Sequence, residues 1–291
     1  MSVTLGQAVL LGVVQGLTEF LPVSSTAHLA IAQRFLPGFE QPGILFDVLL
    51  HVGTLLAVVV YFRSRIAATL AGAFSSDPLE RRKAWKLIGL LVLAVGLTGL
   101  VTMPLKRFAI EGMTEFRRMG VALLGTAVLL FVAQRVGDAR GDGGRALEEM
   151  RPRDAALVGA CQSVSAILHG FSRSGNTISV GLFAGLSRRA AAEFSFLLSI
   201  PTILAAAAVE NLHAYRHKAG PLVEGDSLQA YAAGMAVAAV VGYFAISALL
   251  RMVVSMRLWP FIVYCAAVGL FLLLFAERIT SGFRGELKVL S

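Results

Sequence analysis

Two stretches of the chain interrupt its apolar segments with polar and helix-breaking residues, and the two resemble each other. Residues 12–28 read GVVQGLTEFLPVSSTAH, and residues 159–177 read GACQSVSAILHGFSRSGNT. Each begins G-x-x-Q, continues with a short apolar stretch and ends in a break rich in Pro, Gly or Ser. Inside a membrane such a break is tolerated only where protein encloses it or where it lines a wet cavity. Two breaks in matching halves of the chain therefore indicate one shared site.

The composition identifies the class of protein. Of the 291 residues 56% are hydrophobic and 15% are charged, and the mean hydropathy is +0.74. A soluble domain carries roughly a quarter charged residues, so we predict a polytopic membrane protein. The net charge of +8 does not indicate nucleic acid as a partner, because the bases cluster in short segments that flank apolar spans.

The apolar segments predict an all-α integral membrane protein with six spans and two re-entrant helical hairpins, folded as one domain over residues 1–291. A span needs ~20 apolar residues, and Pro22 and His169-Gly170 break two segments that are too short or too polar to cross. Residues 63–86 are interpreted as a basic loop, and the polar linker 137–153 separates a first half, 1–136, from a second half, 154–291. The predicted spans are Ile44–Phe62, Leu87–Pro104, Met119–Val136, Ala191–Leu212, Leu228–Leu250 and Leu258–Ala276, and the hairpins pair Val3–Leu21 with Ala27–Phe35 and Ala155–Leu168 with Ile178–Leu186.

A carboxylate lies inside the first broken segment. Gln15 and Glu19 are four residues apart and share one face of a helix. An ionisable group at membrane depth is costly, and by default it indicates function. Glu19 could bind a hard divalent cation, with the Gln15 carbonyl as a weak co-ligand, or it could act as a general acid or base. Alternatively it caps the following turn or pairs with an arginine.

Hydroxyl groups follow the proline of the same segment. Ser24, Ser25 and Thr26 precede a helix, where they could cap it or contact a substrate. His28 comes three residues after Ser25, and an imidazole near a hydroxyl can take its proton and make it a nucleophile. A single histidine can also be structural. Another histidine, His51, follows Asp47 by one helical turn, and this pair is interpreted as interfacial.

The second break has the composition of an anion site. Glycines let the backbone approach a ligand closely, and successive N–H groups at the start of a helix bind anions. Arg173 offers two parallel donors for phosphate oxygens. The alternative is a capping turn in which Arg173 pairs with Glu19. The candidate phosphate-binding residues around Arg173 are Gly170, Ser172, Ser174, Gly175, Asn176 and Thr177.

Brought together, the two breaks would supply what phosphoryl transfer requires, namely positive charge for the phosphate oxygens, a nucleophile and a group that handles its proton. A phosphate site within a membrane favours a lipid phosphate or diphosphate as the substrate, and hydrolysis of a phosphoanhydride as the reaction. A lipid-phosphate transporter or flippase is the alternative, but it leaves Ser25 and His28 without a role. A lipid phosphatase that uses His28 as its nucleophile is a second alternative.

The same residues resemble a known family. QGLTEFLPVSSTAHL at residues 15–29 and GFSRSGNT at residues 170–177 are similar to the two signatures of the undecaprenyl-diphosphatase family, also called the bacitracin-resistance BacA family. Residues 193–198 and Pro201 also fit. The resemblance implies two inverted repeats and an enzyme of the bacterial inner membrane. This enzyme removes the terminal phosphate of undecaprenyl diphosphate, which recycles the lipid carrier of cell-wall synthesis and confers bacitracin resistance.

The resemblance also implies roles for residues. Glu19 is the acidic residue of the first signature, Ser25 the nucleophile, His28 its proton partner and Arg173 the diphosphate clamp. A divalent cation, Mg²⁺ or Ca²⁺, and a site that faces the outside are implied as well, and a homodimer is the protein assembly that we expect. The chain departs from the family pattern where Gln15 stands in place of a first acidic residue, and where His169 stands in place of a proline before Gly170.

Overall fold

The protein is a bundle of helices. The computed structural model describes residues 3–39, 44–112, 116–141, 143–216, 228–255 and 258–289, and no strand is present within these ranges. In chain order the helices are α1 (Leu5–Thr18), α2 (Ser25–Phe35), α3 (Ile44–Tyr61), α4 (Arg63–Ala73), α5 (Pro78–Gly112), α6 (Phe116–Arg140), α7 (Pro152–Ile167), α8 (Arg173–Phe183), α9 (Arg188–Arg216), α10 (Leu228–Val254) and α11 (Trp259–Val289).

The helices confirm the all-α membrane class. Among the described residues, α5, α6, α9, α10 and α11 are long and apolar enough to cross a membrane. The sixth candidate is α3 together with α4, which are bent by 72° at Phe62. The remaining apolar helix near the N-terminus, α1, is shorter, with 14 residues, and this length agrees with the predicted re-entrant hairpin.

The prediction of a loop over residues 63–86 is wrong. The segment forms α4 and the first turns of α5, and the Trp85 indole Nε1 donates to the carbonyl of Ala73 at 3.1 Å. The physical reason is local propensity, because Ala, Leu, Arg, Lys and Glu are good helix formers and Pro78 stands at the first position of α5, where proline is favoured. For the same reason α6 continues to Arg140, into the predicted linker.

The two hairpins enter the protein from opposite faces. The open end of the α1–α2 hairpin is held by Gln7, whose Nε2 donates to the Pro37 carbonyl at 3.0 Å. The open end of the α7–α8 hairpin is held by the linker, where the Arg145 main-chain N–H donates to the Gly185 carbonyl at 3.0 Å. Three crossings, α3, α5 and α6, separate the two open ends. They therefore lie on opposite sides, called here the N-terminal face and the linker face.

The halves interlock through glycines. The first helix of each hairpin packs against a spanning helix of the other half, α1 against α10 and α7 against α5. A Cβ atom on Gly12 would lie 2.5 Å from the Gly234 carbonyl oxygen, and one on Gly159 would lie 2.3 Å from the Ala94 carbonyl oxygen. Small residues let helices in a membrane approach backbone to backbone. This contact fixes the depth to which each hairpin reaches.

Candidate active site

The tip of the first hairpin turns within six residues. Helix α1 ends at Thr18, with Glu19 as its C-cap. Pro22 interrupts helical hydrogen bonding in the turn. Ser24 adopts a φ of 71°, and its Oγ accepts from the Ala27 N–H at the start of α2. The left-handed backbone at Ser24 is uncommon for a residue other than glycine, and it directs the chain so that α2 begins beside the carboxylate of Glu19.

The tip of the second hairpin is built on Gly170. This residue has a φ of 99°, and a Cβ atom there would lie 2.8 Å from the Cα of Met119, so only glycine fits. The main-chain N–H of Ser172 donates to Thr126 Oγ1 at 3.1 Å. Ser172 then caps α8, which begins at Arg173. Both tips therefore end in the N-terminus of a short helix, α2 or α8.

Glu19 and Arg173 connect the two tips. Glu19 is 6% exposed, and its Oε1 accepts from Arg173 Nη2 at 2.6 Å. Its other oxygen, Oε2, accepts from the Ser25 hydroxyl at 2.7 Å and from Gln15 Nε2 at 3.0 Å. His51 Nε2 lies 3.6 Å from the same oxygen. The sequence-predicted carboxylate, hydroxyl and guanidinium are thus in direct contact.

The guanidinium of Arg173 keeps one donor free. Its Nη1 is buried and has no hydrogen-bond partner among the described residues, and Arg173 lines a cavity at this point. A buried charged donor without a partner is costly. The N-termini of α2 and α8 also begin at this cavity, and helix N-termini favour negative charge. These features suit an anion with several oxygen atoms.

The cavity between the tips has a volume of about 270 Å³. Six of the predicted residues line it: Glu19, Ser24, Ser25, Thr26, Ser172 and Arg173. The structure adds polar residues to which the sequence analysis assigned no role in the site: His51 from α3, Thr98 from α5, Gln162 from α7 and Thr202 from α9, and His169 also lines it.

The predicted pairing of Ser25 with His28 is wrong. His28 Nδ1 lies 2.7 Å from the Ser24 carbonyl oxygen, and its Nε2 lies 2.7 Å from the Tyr264 hydroxyl. A carbonyl can only accept, so Nδ1 carries the hydrogen and Nε2 accepts from Tyr264. The two rings stack, with their centroids 5.5 Å apart. Both ring nitrogens of His28 are occupied, and the group that accepts the hydrogen bond of the Ser25 hydroxyl is the carboxylate of Glu19.

Four of the predicted phosphate-binding residues hold the hairpins together and do not line the cavity. Ser174 Oγ donates to the Leu21 carbonyl at 3.0 Å and joins the two tips. Asn176 Nδ2 donates to the Cys161 carbonyl at 2.5 Å and joins α8 to α7. Buried hydroxyls and amides need such partners, and here the protein supplies them.

Thr177 and Gly175 complete this contact region. The Thr177 hydroxyl lies 2.6 Å from that of Ser195 in α9. A Cβ atom on Gly175 would lie 3.2 Å from Pro22 Cβ, so glycine allows close packing of the tips. Gly170 likewise meets α6 and does not line the cavity. The second signature therefore builds the position of Arg173, and the members of it that line the cavity are Phe171, Ser172 and Arg173.

His51 and Gln162 are site residues that the sequence analysis missed. His51 was interpreted as an interfacial partner of Asp47, but Gln33 Nε2 donates to that carboxylate at 2.9 Å and His51 faces Glu19. Gln162 is buried, and its Nε2 donates to Thr98 Oγ1 at 3.0 Å. The signal for Gln162 was the repeated G-x-x-Q pattern. In this pattern Gln162 occupies the same position in the second half as Gln15 in the first.

The protein residues do not form a cage for a divalent cation. Ca²⁺ and Mg²⁺ take six or more oxygen ligands, whereas no group of three or more His, Cys, Asp or Glu side chains that could hold a metal occurs in the described ranges. Both oxygens of Glu19 already accept from Arg173, Ser25 and Gln15. Gln15 uses its amide NH₂ on Glu19, and its Oε1 is buried without a hydrogen-bond partner among the described residues. Glu19 and Gln15 alone therefore supply too few ligands for a cation, and the metal site that they would form stays a prediction.

Comparison with known proteins identifies the family of the chain. The model of the family described as bacitracin resistance protein BacA matches residues 8–271. An undecaprenyl-diphosphatase of Syntrophotalea carbinolica is 42% identical over 262 residues, which cover 90% of this chain and 95% of the relative. Undecaprenyl-diphosphatases of Myxococcus xanthus, 40% identical over 93% of this chain and 89% of the relative, and Treponema denticola, 38% identical over 91% and 94%, are also similar. The chain therefore belongs to the BacA family.

Proposed function

We propose that the protein is a membrane phosphatase that hydrolyses undecaprenyl diphosphate to undecaprenyl phosphate and inorganic phosphate. The observation that carries the proposal is the Ser25–Glu19–Arg173 contact, in which a nucleophile, a base and an anion-binding group meet in one cavity. The names of the relatives support the same substrate. Hydrolysis of the diphosphate would account for bacitracin resistance and for recycling of the lipid carrier used in cell-wall synthesis.

The diphosphate is bound first by Arg173. Its Nη1 has no hydrogen-bond partner among the described residues and donates to an oxygen of the terminal phosphate. Ser24, Thr26 and Ser172 line the same cavity and add hydroxyl donors. The N-termini of α2 and α8 contribute partial positive charge.

Ser25 then attacks the terminal phosphorus. Its hydroxyl already donates to Glu19 Oε2 at 2.7 Å, so its proton passes to Glu19 as the new P–O bond forms. The bond to the bridging oxygen breaks, and undecaprenyl phosphate leaves with the electron pair. Glu19 gives the proton it took to the oxygen of the departing undecaprenyl phosphate. It then takes a proton from a water molecule whose oxygen attacks the phosphoserine phosphorus. The bond between phosphorus and Ser25 Oγ breaks, Ser25 Oγ regains a proton from Glu19, and inorganic phosphate leaves. In an alternative route, Ser25 and Glu19 orient a water molecule that attacks the terminal phosphorus directly.

The cavity faces the outside of the cytoplasmic membrane. Its lining includes residues from the halves of α3 and α9 that lie toward the N-terminal face, such as His51 and Ala206. The linker face carries a dense set of bases, and loops rich in Lys and Arg remain in the cytoplasm. The bases near this face include Arg63, Arg65, Arg81, Arg82, Lys83, Lys86, Arg145, Arg151 and Arg153. The N-terminal face is then periplasmic.

Two expectations rest on the family alone. A requirement for Mg²⁺ or Ca²⁺ stays a prediction, because the side chains around Glu19 do not form a cation site. Assembly as a homodimer also stays a prediction.

A liposome experiment separates hydrolysis from transport. Purified protein is reconstituted with undecaprenyl diphosphate, and both phosphate release and lipid movement between leaflets are followed. Phosphate release at a rate proportional to protein supports the phosphatase. Movement of the lipid without phosphate release would identify a transporter and overturn the proposal.

A further inference from the structure

The two halves are not packed identically, and one of the helix pairs that differ lies beside the cavity. In the first half, α3 packs closely along α10, where a Cβ atom on Gly53 would lie 2.3 Å from the Met235 carbonyl oxygen. The corresponding pair in the inverted arrangement is α9 and α5, and these two helices make little contact. Pro201, inside α9, lies at this position and lacks the N–H that would continue the helical hydrogen bonds. The pseudo-symmetry of the bundle is therefore broken by a gap between α5 and α9.

The gap is continuous with the active-site cavity. Thr98 of α5 and Thr202, Ile203 and Ala206 of α9 line the same space as Arg173. The base of the gap is closed, because α7 is packed against α5 and the hydroxyl of Thr98 lies 2.9 Å from the Gly159 carbonyl oxygen. The gap can open only sideways, toward the lipid, and toward the N-terminal face.

Polarity changes along the gap. At its inner end, Gln162 Nε2 donates to Thr98 at 3.0 Å and to Thr202 at 3.2 Å. Both threonine hydroxyls donate to main-chain carbonyls, Thr98 to Ala94 and Thr202 to Leu198, so the amide orientation is fixed. The outer end is apolar, with the buried Ile203 and the exposed Ala206. Such a gradient matches a lipid whose head is polar and whose chain is hydrocarbon.

The cavity is too small for the hydrocarbon chain of the lipid, so this chain needs an exit. A pocket that encloses a drug-sized ligand has a volume of roughly 300–1,000 Å³, and this cavity has about 270 Å³. It holds a diphosphate and not an undecaprenyl chain. The α5–α9 gap is a part of the wall that is both apolar and weakly packed.

We propose that the gap between α5 and α9 is the lateral entrance of the active site and binds the first isoprene units of the lipid, with Thr98, Gln162 and Thr202 at the junction of chain and diphosphate. This inference rests on the proposed function for the identity of the lipid. The chain leaves the cavity past Ile203 and Ala206 into the bilayer.

Cysteine protection tests the entrance. In a Cys161→Ala background, where the remaining Cys265 is buried, we introduce Ala206→Cys in the gap or Val240→Cys in the lipid-facing groove between α3 and α10. N-ethylmaleimide labelling is timed in liposomes. Undecaprenyl phosphate at about ten times its Kd should slow labelling at position 206 about tenfold and leave position 240 unchanged. Inorganic diphosphate should protect neither position. Equal protection at both positions, or none at 206, would overturn the proposal.

A second variant reports on catalysis. Ala206→Trp fills the gap and should raise KM for undecaprenyl diphosphate at least about tenfold, whereas Val240→Trp should retain the KM of the unchanged protein. Equal KM values for the two variants would contradict the entrance. Failure of the proposed function is recognised separately: the unchanged protein would then release no phosphate, while protection of position 206 by the lipid phosphate would still show that the gap binds the chain.

Discussion

Glu19 and Arg173 lie 154 positions apart in the chain and meet at 2.6 Å inside the bundle. Each stands at the tip of one hairpin, and the hairpins enter from opposite faces. An ion pair that is mostly buried is not by itself a stabilising device, since desolvation offsets its attraction. Its presence at membrane depth agrees with the proposed function, in which the guanidinium binds the substrate anion and the carboxylate accepts a proton.

Glu19→Gln should remove the base while keeping the shape of the side chain. We expect kcat to fall by about 10²–10⁴, the usual contribution of a general base, because the neutral amide cannot accept the Ser25 proton. Phosphate release from undecaprenyl diphosphate measures the effect. The Gln15→Ala variant is the control, since Gln15 only donates to Glu19, and its loss should be smaller. Equal rates for Glu19→Gln and the unchanged protein would exclude Glu19 as the base.

His28 is expected to be a positioning residue. Its Nδ1 donates a hydrogen bond to the Ser24 carbonyl, and this contact stabilises the left-handed backbone before Ser25. His28→Ala should therefore lower kcat about 10²-fold through misplacement of Ser25. In His28→Asn, whose side-chain N–H can reach the same carbonyl, kcat should recover to within about tenfold of the unchanged protein. The pH profile of kcat should keep its shape in both variants. A profile that loses its acid limb would show that His28 accepts the proton itself.

The glycine contact between α1 and α10 should be sensitive to one methyl group. Gly12→Ala places a Cβ atom 2.5 Å from the Gly234 carbonyl oxygen, and we expect it to lower stability by about 1–3 kcal/mol. Gly6→Ala in the same helix meets nothing within 4 Å and should raise stability by up to about 1 kcal/mol. Thermal unfolding in one detergent compares the two. If both variants shift Tm in the same direction, the close packing of α1 on α10 is contradicted.

The stability of the structure at the linker face depends on Asp154. Its Oδ2 accepts from Arg145 Nη1 at 2.6 Å and from the Arg151 main-chain N–H at 2.8 Å. Losing these charge-assisted hydrogen bonds in Asp154→Ala should cost about 1.5–3 kcal/mol. Arg153→Ala removes a mostly exposed partner at 3.7 Å and should cost less than about 1 kcal/mol. Unfolding in denaturant compares the free energies of unfolding of the two variants. An equal loss of stability in both would contradict the structural role of Asp154.

The ion pair between Asp154 and Arg145 should make the stability of the protein depend on pH in the acid range. Burial raises the pKa of Asp154, whereas the hydrogen bonds from Arg145 and Arg151 lower it. The lowering is larger, so the pKa lies below its ordinary value. A lowered pKa stabilises the fold above the unfolded value, about 3.9, and the contribution is lost as the pH falls below it. The difference in stability between Asp154→Ala and the unchanged protein should therefore be constant near pH 7 and shrink below about pH 4. A difference that grows in acid would have the wrong sign.

The sequence was sufficient to predict the helices that cross the membrane and the two breaks, because both are properties of local composition. It was also sufficient for Glu19, Ser25 and Arg173, since ionisable and hydroxyl groups at membrane depth are rare enough to be informative. The partner of Ser25 was not predictable in this way. Ser25 and His28 are close in sequence, but Tyr264, which holds the His28 ring, comes from a helix more than two hundred residues away.

Two further errors have the same origin in tertiary structure. Ser174, Asn176 and Thr177 look like ligand donors because the loop is polar, yet packed helices also need hydrogen bonds at their closest contacts, and these side chains provide them. His51 looked interfacial because it is near the start of its span. Only the re-entrant depth of the first hairpin places it beside Glu19.

The most direct test of the central claim, that both hairpins act on one diphosphate, is phosphate release from undecaprenyl diphosphate by purified Ser25→Ala and Arg173→Ala, with Ser174→Ala as a control of similar position and different role. We expect kcat/KM to fall by at least about 10² in each of the first two variants, and we expect Ser174→Ala to retain kcat/KM in the fraction that folds. Full activity in Arg173→Ala or Ser25→Ala would contradict it.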